Sequence, residues 1–305
     1  MDIRFDNRVA IVTGAGAGLG RSHALALAAR GARVMVNDLG GARDGTGRSS
    51  AAAARVVEEI RAAGGEAIAN GANVADYAEV EAMVAEAMAA WGRVDILVNN
   101  AGILRDKTFS KMELADFRTV VDVHLFGTVH CTKAVWEIMR AQQYGRIVMT
   151  TSSSGLYGNF GQSNYGAAKM AVVGLMNTLV LEGEKHGIRV NALAPAAGTR
   201  MTEGLMDAKA FDLLTPESVT AGLVVLCAEQ SPNRMILAAG AGGYASVHTY
   251  ETLGVHLVPA QQTPENVLAA LAGINARPGE QELTQGFQQS FKFAGNAAKA
   301  LGIEL

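Results

Sequence analysis

The feature that most constrains the fold is a repeated alternation of short β-branched runs with longer segments of helical period. The first run, Val9–Val12, is followed by an alanine-rich stretch from Gly18 to Arg30. This order favours parallel strands, since a crossover helix returns the chain to the same end of the sheet. Parallel strands are buried on both faces, and the apolar runs within 95–98 and 146–149 fit that requirement.

Seven strands can be placed along the chain, and they predict the α/β class: a doubly wound seven-stranded parallel sheet flanked by helices, a Rossmann fold. Prolines separate short helical pieces after residue 245, which predicts a C-terminal helical extension. We therefore expect a single domain over 1–305, with a core at about 5–245 and an extension at about 246–305. The predicted strands cover residues 9–12, 33–37, 66–69, 96–99, 146–151, 189–194 and 235–238.

Composition excludes several function classes. A net charge of -3 without long like-charge runs provides no basic face, so we expect no nucleic acid partner. Cys131 and Cys227 lie far apart in apolar stretches, which indicates core positions in a reducing compartment rather than a disulfide framework. The first residues lack a signal-peptide pattern and no apolar run reaches spanning length. We expect a cytoplasmic protein that has no membrane partner and binds no metal ion.

A glycine-rich turn, Thr-Gly-Ala-Gly-Ala-Gly-Leu-Gly at 13–20, follows the first strand directly. Glycines between a strand and a helix let a pyrophosphate lie against backbone N–H groups at the helix N-terminus. Asp38 follows 18 residues after Gly20, at the end of the second strand, which strengthens the prediction of a dinucleotide site. The turn residues predicted to bind the cofactor are Gly14, Gly16, Gly18, Leu19 and Gly20.

Asp38 also indicates which dinucleotide binds. A carboxylate there accepts hydrogen bonds from the ribose hydroxyls and repels a 2′-phosphate, so NAD is favoured over NADP. The alternatives are that Asp38 only caps the next loop, or that Arg43 or Arg48 binds the phosphate. Those arginines belong to a glycine-rich segment, 40–50, that we interpret as a mobile surface excursion.

Three groups with a use in proton transfer follow the fifth strand. Tyr165 and Lys169 are four residues apart, so their side chains share one helix face. A nearby ammonium and the positively charged nicotinamide ring together favour the phenolate form and bring the tyrosine pKa toward neutrality. Ser152, at the strand end, is placed to donate a hydrogen bond to a substrate oxygen. Taken alone, a Tyr–Lys pair at this spacing is more typical of a half-buried tyrosine beside a solvated lysine; the serine and the nucleotide turn favour the catalytic interpretation.

Together these motifs resemble the short-chain dehydrogenase/reductase family over roughly residues 5–245: the turn at 13–20, Asn-Asn-Ala-Gly at 99–102, Ser152, and Tyr165-x-x-x-Lys169. The resemblance implies that Tyr165 is the general acid/base, that Lys169 adjusts its pKa and binds the ribose, and that Ser152 polarises the carbonyl. Ser153 and Ser154 lack the family spacing. The further cofactor contacts predicted are Asn73, Val74, Asn100, Ala101, Gly102, Tyr165, Lys169, Pro195 and Gly198; for Asn99 a structural role and a ligand contact stay open.

His124 departs from the family pattern. The family places an asparagine of a proton relay in a Val-Asn-x-x-Gly context, whereas residues 123–127 here read Val-His-Leu-Phe-Gly. An imidazole can relay protons near neutrality, so His124 is a candidate catalytic residue. A buried histidine bonded only to the backbone is the alternative.

A closer likeness lies in residues 37–41, 100–106, 124, 144–147, 155–162 and 200–202, which resemble the (3R)-hydroxyacyl-CoA dehydrogenase domain of peroxisomal multifunctional enzymes of type 2. By this likeness the histidine at 124 is a trait of the subgroup. It implies oxidation of a (3R)-3-hydroxyacyl-CoA to the 3-oxoacyl-CoA with NAD. The alternatives are a 17β-hydroxysteroid dehydrogenase, a steroid side-chain acyl-CoA dehydrogenase, and a non-catalytic NAD-binding scaffold. The intact Ser152, Tyr165 and Lys169 disfavour the scaffold.

Two further expectations concern partners. Helix 166–185 carries apolar residues on more than one face, which indicates a subunit interface and a homodimer or homotetramer. Substrate contacts are expected from 156–163 and 199–214. Arg105, Lys107 and Lys111 either meet CoA phosphates or form a solvated basic face.

Overall fold

The computed structural model describes residues 2–198 and 208–304. Within them, eight strands form one sheet in the order β3-β2-β1-β4-β5-β6-β7-β8. The predicted strand limits hold to within two residues. The strands are β1 Val9–Thr13, β2 Arg33–Asn37, β3 Glu66–Asn70, β4 Ile96–Asn99, β5 Gly145–Thr150, β6 Ile188–Pro195, β7 Ile236–Gly240 and β8 Gly243–Val247.

The sheet is parallel from β3 through β7, which confirms the doubly wound arrangement. β1 pairs with β2 on one side and with β4 on the other, so the strand order reverses between β1 and β4. Ligands of such sheets bind at the carboxyl ends of the strands beside this reversal. Thr13, Asn37 and Asn99 end the three strands there.

The predicted count of seven strands is wrong, because the chain adds an eighth. Ala241 and Gly242 connect β7 to β8 and have φ values of 48° and 77°. A two-residue connection with positive φ at both positions is a type I′ hairpin turn, which makes β8 antiparallel to β7. The glycines around this turn make the sequence read as a loop. The hydroxyl of Tyr244 on β8 donates to the carbonyl of Ser218, at 2.6 Å.

Helices cover both faces of the sheet, as predicted. A π-helical turn at Asp122–Phe126 joins α4 to α5. The predicted helix at 166–185 is observed at Ser163–Gly183. In the first 246 residues the described helices are α1 Gly18–Ala29, α2 Ala51–Ala62, α3 Tyr77–Trp91, α4 Leu114–Val121, α5 Gly127–Gln142, α6 Ser153–Tyr157, α7 Ser163–Gly183, α8 Ala208–Leu213 and α9 Pro216–Cys227.

Both cysteines lie in the core, as the sequence predicts. Cys131 on α5 and Cys227 on α9 are free and fully buried. Burial raises the pKa of each thiol to about 12, because an apolar surrounding disfavours the thiolate. Both side chains therefore pack as small apolar groups.

The chain divides into two compact units, residues 1–246 and 247–305, close to the expected boundary. The extension is not purely helical, since it also contains a small antiparallel sheet. Glu251 of that sheet accepts from Lys292 and Gln289 of the last helix. Its elements are β9 Tyr250–Glu251, α10 Pro264–Ala269, α11 Leu271–Ile274, β10 Gln281–Glu282 and α12 Gly286–Leu301. The single-domain interpretation stays a prediction.

No helix among the residues described is long and apolar enough to cross a membrane. The same residues contain no cluster of three or more side chains able to hold a metal ion.

Candidate active site

The turn between β1 and α1 depends on close backbone approach. Gly14 has a φ of 62°, and a Cβ on it would lie 2.7 Å from the Cα of Ala101. A Cβ on Gly20 would collide with the carbonyl of Gly14. Asn100 fixes the turn, since its Nδ2 donates to the carbonyls of Thr13 at 2.9 Å and Gly14 at 3.1 Å. The glycines therefore serve the fold of the turn as well as a ligand.

Asp38 lies against this turn and is held by two backbone donors. Its Oδ2 accepts from the Gly16 N–H and its Oδ1 from the Gly40 N–H, both at 2.7 Å. These bonds fix the carboxylate at the end of β2, where it lines the adjoining cavity. Asp38 thus caps the following loop and also faces the cavity, so the two interpretations of this residue are compatible.

A cavity of about 520 Å³ opens at the carboxyl ends of β1, β2 and β4. Gly16 and Gly198 are not among its lining residues: Gly16 lies behind Asp38, and the Gly198 N–H donates to the carbonyl of Leu214 at 2.6 Å. The predicted cofactor residues that line it are Gly14, Gly18, Leu19, Gly20, Asp38, Asn73, Val74, Asn100, Ala101, Gly102, Tyr165, Lys169 and Pro195.

Tyr165 and Lys169 of α7 line one end of the cavity, and Ser152 lies between β5 and α6. Ser152 is the N-cap of α6, where its hydroxyl accepts from the Ser154 N–H at 3.2 Å, and its side chain acts on Tyr165 in the direction that lowers the pKa of the phenol. The Lys169 ammonium donates to the carbonyl of Thr150 at 2.6 Å and lies 5.7 Å from the centre of the Tyr165 ring. A Cβ on Gly155 would lie 2.8 Å from the Lys169 Cβ, so a glycine is needed where α6 packs on α7.

Burial dominates the electrostatics of this group in the protein alone. It raises the pKa of Tyr165, the Ser152 side chain opposes this, and Asp106 raises it further. Burial also lowers the pKa of Lys169 to about 7, so the lysine is only partly charged at neutrality. The expected lowering of the Tyr165 pKa by Lys169 and the nicotinamide ring together concerns the enzyme with its cofactor bound, and it stays a prediction.

His124 lines the same cavity and is 2% exposed. Its Nε2 lies 2.8 Å from the carbonyl oxygen and 3.1 Å from the amide nitrogen of Ile103. One ring nitrogen cannot donate and accept at once, and the shorter contact favours an Nε2–H that donates to the carbonyl. Nδ1 is then a buried acceptor without a partner among the described residues. Burial, aided by Lys169, lowers the pKa of His124 well below its usual value, so the imidazole is neutral.

Asn99 has a structural role in the protein alone. Its side-chain amide donates to the Thr132 hydroxyl at 3.2 Å, which ties β4 to α5. The two residues after Asn99 have a similar structural role, because the Thr13 hydroxyl accepts from the backbone N–H groups of Asn100 and Ala101. These bonds join the ends of β1 and β4.

Sequence reasoning missed a polar network beside Ser152. The Gln162 side chain accepts from Ser154 at 2.7 Å and Asn159 at 3.0 Å, and donates to Asp106 at 2.8 Å. Asn164 donates to the carbonyl of Arg105 at 3.0 Å. The segment after β4 is thereby fixed to the start of α7, which carries Tyr165. Side-chain amides clustered just before Tyr165 were the available signal.

The candidate basic face is partly neutralised. Arg105 and Lys107 both pair with Asp116, at 3.0 and 3.2 Å. Arg105 also donates to the carbonyl of Asp44 at 2.9 Å. The segment 40–50 is thus bonded to the loop after β4, contrary to the expectation of a free excursion. Residues 199–207, part of the expected substrate region and including the motif at 200–202, lie outside the described residues.

The cavity fits a dinucleotide on physical grounds. Ala17 precedes α1 and has no side-chain group that accepts from the first N–H groups of the helix. Those groups, at Gly18, Leu19 and Gly20, border the cavity and suit an anion such as a pyrophosphate. Asp38 stands at the end suited to a ribose.

A nucleotide turn that shares one cavity with Tyr165 and Lys169 is typical of a dehydrogenase on a Rossmann fold. The chain belongs to the short-chain dehydrogenase/reductase family, whose model, described as short chain dehydrogenase, matches residues 8–210. This confirms the family predicted from the motifs.

Among similar proteins is the peroxisomal multifunctional enzyme type 2 of Drosophila melanogaster, 48% identical over 266 residues, which are 87% of this chain and 44% of that protein. The chain thus spans less than half the length of that relative. The structure of the full-length Drosophila enzyme aligns with a TM-score of 0.80 at 36% identity, covering 98% of this chain and 50% of the other. A 7α-hydroxysteroid dehydrogenase complexed with NADH and 7-oxoglycochenodeoxycholic acid aligns with a TM-score of 0.71 at 30% identity, covering 79% and 95%.

Proposed function

We propose that this chain oxidises (3R)-3-hydroxyacyl-CoA to 3-oxoacyl-CoA with NAD as acceptor. The observation that carries the proposal is that Tyr165 and Lys169 line one cavity together with the glycine-rich turn and Asp38, and that the Ser152 side chain acts on Tyr165. The closer likeness to the multifunctional enzymes selects the acyl-CoA substrate. NAD is supported by Asp38 and by the NADH bound in the related steroid dehydrogenase.

The chain's own residues divide the work of proton transfer. The Ser152 hydroxyl donates a hydrogen bond to the substrate oxygen, and Tyr165 accepts the proton of the alcohol. Lys169 holds the ribose and supplies charge near the phenol. A bound NAD would supply the hydride acceptor and a positively charged ring that favours the Tyr165 phenolate. In this scheme His124 holds the Ile103 segment and packs against Tyr165 as a neutral group.

A steroid substrate is the second candidate, because a 7α-hydroxysteroid dehydrogenase shares the fold at 30% identity. The two candidates use the same catalytic groups and differ only in what lies beyond the reacting carbon. The NAD-binding scaffold is disfavoured by the assembled catalytic group.

The test is NADH formation from NAD with a (3R)-hydroxyacyl-CoA, its (3S) epimer and a 17β-hydroxysteroid offered in parallel. Turnover of the (3R) thioester alone is expected. Turnover of the steroid alone would replace the substrate and keep the chemistry. No turnover of any alcohol would overturn the assignment as an oxidising enzyme.

We also infer self-association as a homodimer or homotetramer. Met170 and Leu181 on α7 are each 45% exposed, which leaves apolar surface on a helix already packed on the sheet. Sedimentation analysis would distinguish monomer, dimer and tetramer. The cytoplasmic location stays a prediction, and the Drosophila relative is by name peroxisomal.

A further inference from the structure

Arg48, in the segment after β2, is held by three hydrogen bonds. Its guanidinium donates to both carboxylate oxygens of Glu79, at 3.2 and 2.7 Å, and to the carbonyl of Gly71 at 2.9 Å. A bidentate arginine–carboxylate pair has a defined orientation that a single point contact lacks. Glu79 therefore determines where the Arg48 charge lies.

This pair stands directly behind the wall of the cofactor cavity. Glu79 Oε2 also accepts from the Asn73 N–H at 3.0 Å, and Asn73 lines the cavity. The wall adjoins Asp38, because the Asp38 N–H donates to the carbonyl of Asn70 at 3.0 Å across β2 and β3. Arg48 is thus connected through Glu79 and Asn73 to the cavity wall next to Asp38, and its charge is paired with Glu79.

We propose that Glu79 is a second determinant of cofactor choice: by binding Arg48 it withholds this guanidinium from a 2′-phosphate, and so supports the preference that Asp38 sets. The inference rests on the proposed use of NAD. Arginine suits a phosphate because its planar donors bind two oxygens at once. Asp38 acts by repelling the 2′-phosphate, whereas Glu79 acts by keeping Arg48 from pairing with that phosphate.

The two effects depend on each other. While Asp38 remains, a released Arg48 faces a site that still repels the phosphate, so Glu79→Gln alone changes little in NADPH affinity. After Asp38→Ala, the released guanidinium gains a charge-assisted partner. Arg48 is 58% exposed, and solvent weakens its pairing with Glu79. We expect a coupling between the two substitutions of about tenfold in affinity, the range of a hydrogen bond to a charged group.

The experiment measures dissociation constants of NADH and NADPH by titration calorimetry without substrate. The proteins are the unsubstituted chain, Asp38→Ala, Glu79→Gln and the double variant. Glutamine keeps an oxygen for the Asn73 N–H while removing the charge. Because Asp38→Ala leaves the N–H groups of Gly16 and Gly40 without an acceptor, Asp38→Asn is measured beside it. The expected result is a ratio of NADPH to NADH affinity in the double variant about tenfold above the product of the single effects.

Two controls separate this mechanism from a general change of charge. Glu86→Gln removes the same charge from the same helix, where Glu86 accepts from Asn70 at 2.7 Å, and combined with Asp38→Ala it should add nothing. Arg48→Ala in the double variant should abolish the extra NADPH affinity. Additive single effects, or a gain that survives Arg48→Ala, would overturn the inference while leaving NAD use intact. An unsubstituted chain that binds no NADH would remove both the proposed cofactor and this inference.

Discussion

The His124 ring stands edge-on to the Tyr165 ring, with centroids 5.0 Å apart and planes at 89°. His124 comes from the π-helical turn and Tyr165 from the start of α7, so this contact aligns two helices at the catalytic end of the cavity. Edge-to-face packing of this kind contributes about 0.5–1.5 kcal/mol. We therefore expect His124 to act as a positioning residue for the phenol.

His124→Asn is expected to lower both stability and turnover while leaving the shape of the pH–rate profile unchanged. Loss of the ring contact should cost about 1 kcal/mol in unfolding free energy. Because the low pKa of His124 keeps the imidazole neutral near neutrality, its removal takes no titrating group from that range. Urea unfolding and a pH series of kcat would measure the two effects. A displaced acid limb in the profile would instead support a proton relay through His124.

Tyr165→Phe is expected to lower turnover by about a hundredfold to ten-thousandfold, the usual contribution of a positioned acid/base group. The ring and its contact with His124 remain, so NADH affinity should stay within a few-fold. Steady-state rates and calorimetry provide the two readings. Tyr250→Phe, which removes the same hydroxyl from the other compact unit, serves as the control. Near-normal turnover of the Tyr165 variant would refute its assignment.

Lys169→Met is expected to stabilise the protein against unfolding at pH 6, and the advantage should shrink as the pH rises. The folded pKa of Lys169 is about 7, below the value of about 10.4 for an unfolded chain. Between these values the unfolded state binds more protons, so the stability contributed by Lys169 rises with pH, by at most about 1.4 kcal/mol per pH unit. Urea unfolding of both proteins without cofactor at several pH values measures the difference. A gap independent of pH would contradict the lowered pKa.

Gly102→Ala is expected to destabilise the protein and to reduce activity. A Cβ at Gly102 would collide with Cε1 of His124, so the ring has to move away from its contact with Tyr165. Forcing atoms into a filled site costs about 1–3 kcal/mol. Gly295→Ala is the matched control, because a Cβ at this helical position of α12 meets nothing within 4 Å. Equal thermal stability of Gly102→Ala and the unsubstituted chain would refute the crowding.

Local pattern was enough for the parallel sheet and for the residues at its strand ends. The turn at 13–20, Asp38 and the Tyr165–Lys169 spacing each depend on fixed local geometry, so they could be read without the fold. The eighth strand could not, since its hairpin consists of small residues that resemble a loop. The low pKa of Lys169 and the network of Gln162 with Asp106 depend on burial and on contacts between distant segments, which single-sequence reasoning does not provide.

The buried thiols of Cys131 and Cys227 have a practical consequence. A thiol whose pKa is about 12 presents almost no thiolate near neutrality, and thiolate is the species that peroxides and alkylating reagents attack. Neither sulfur is part of the catalytic group. The two thiols of the folded protein should therefore resist peroxides and maleimides without added reductant, and labelling of the cysteines would report unfolding rather than chemistry at the surface.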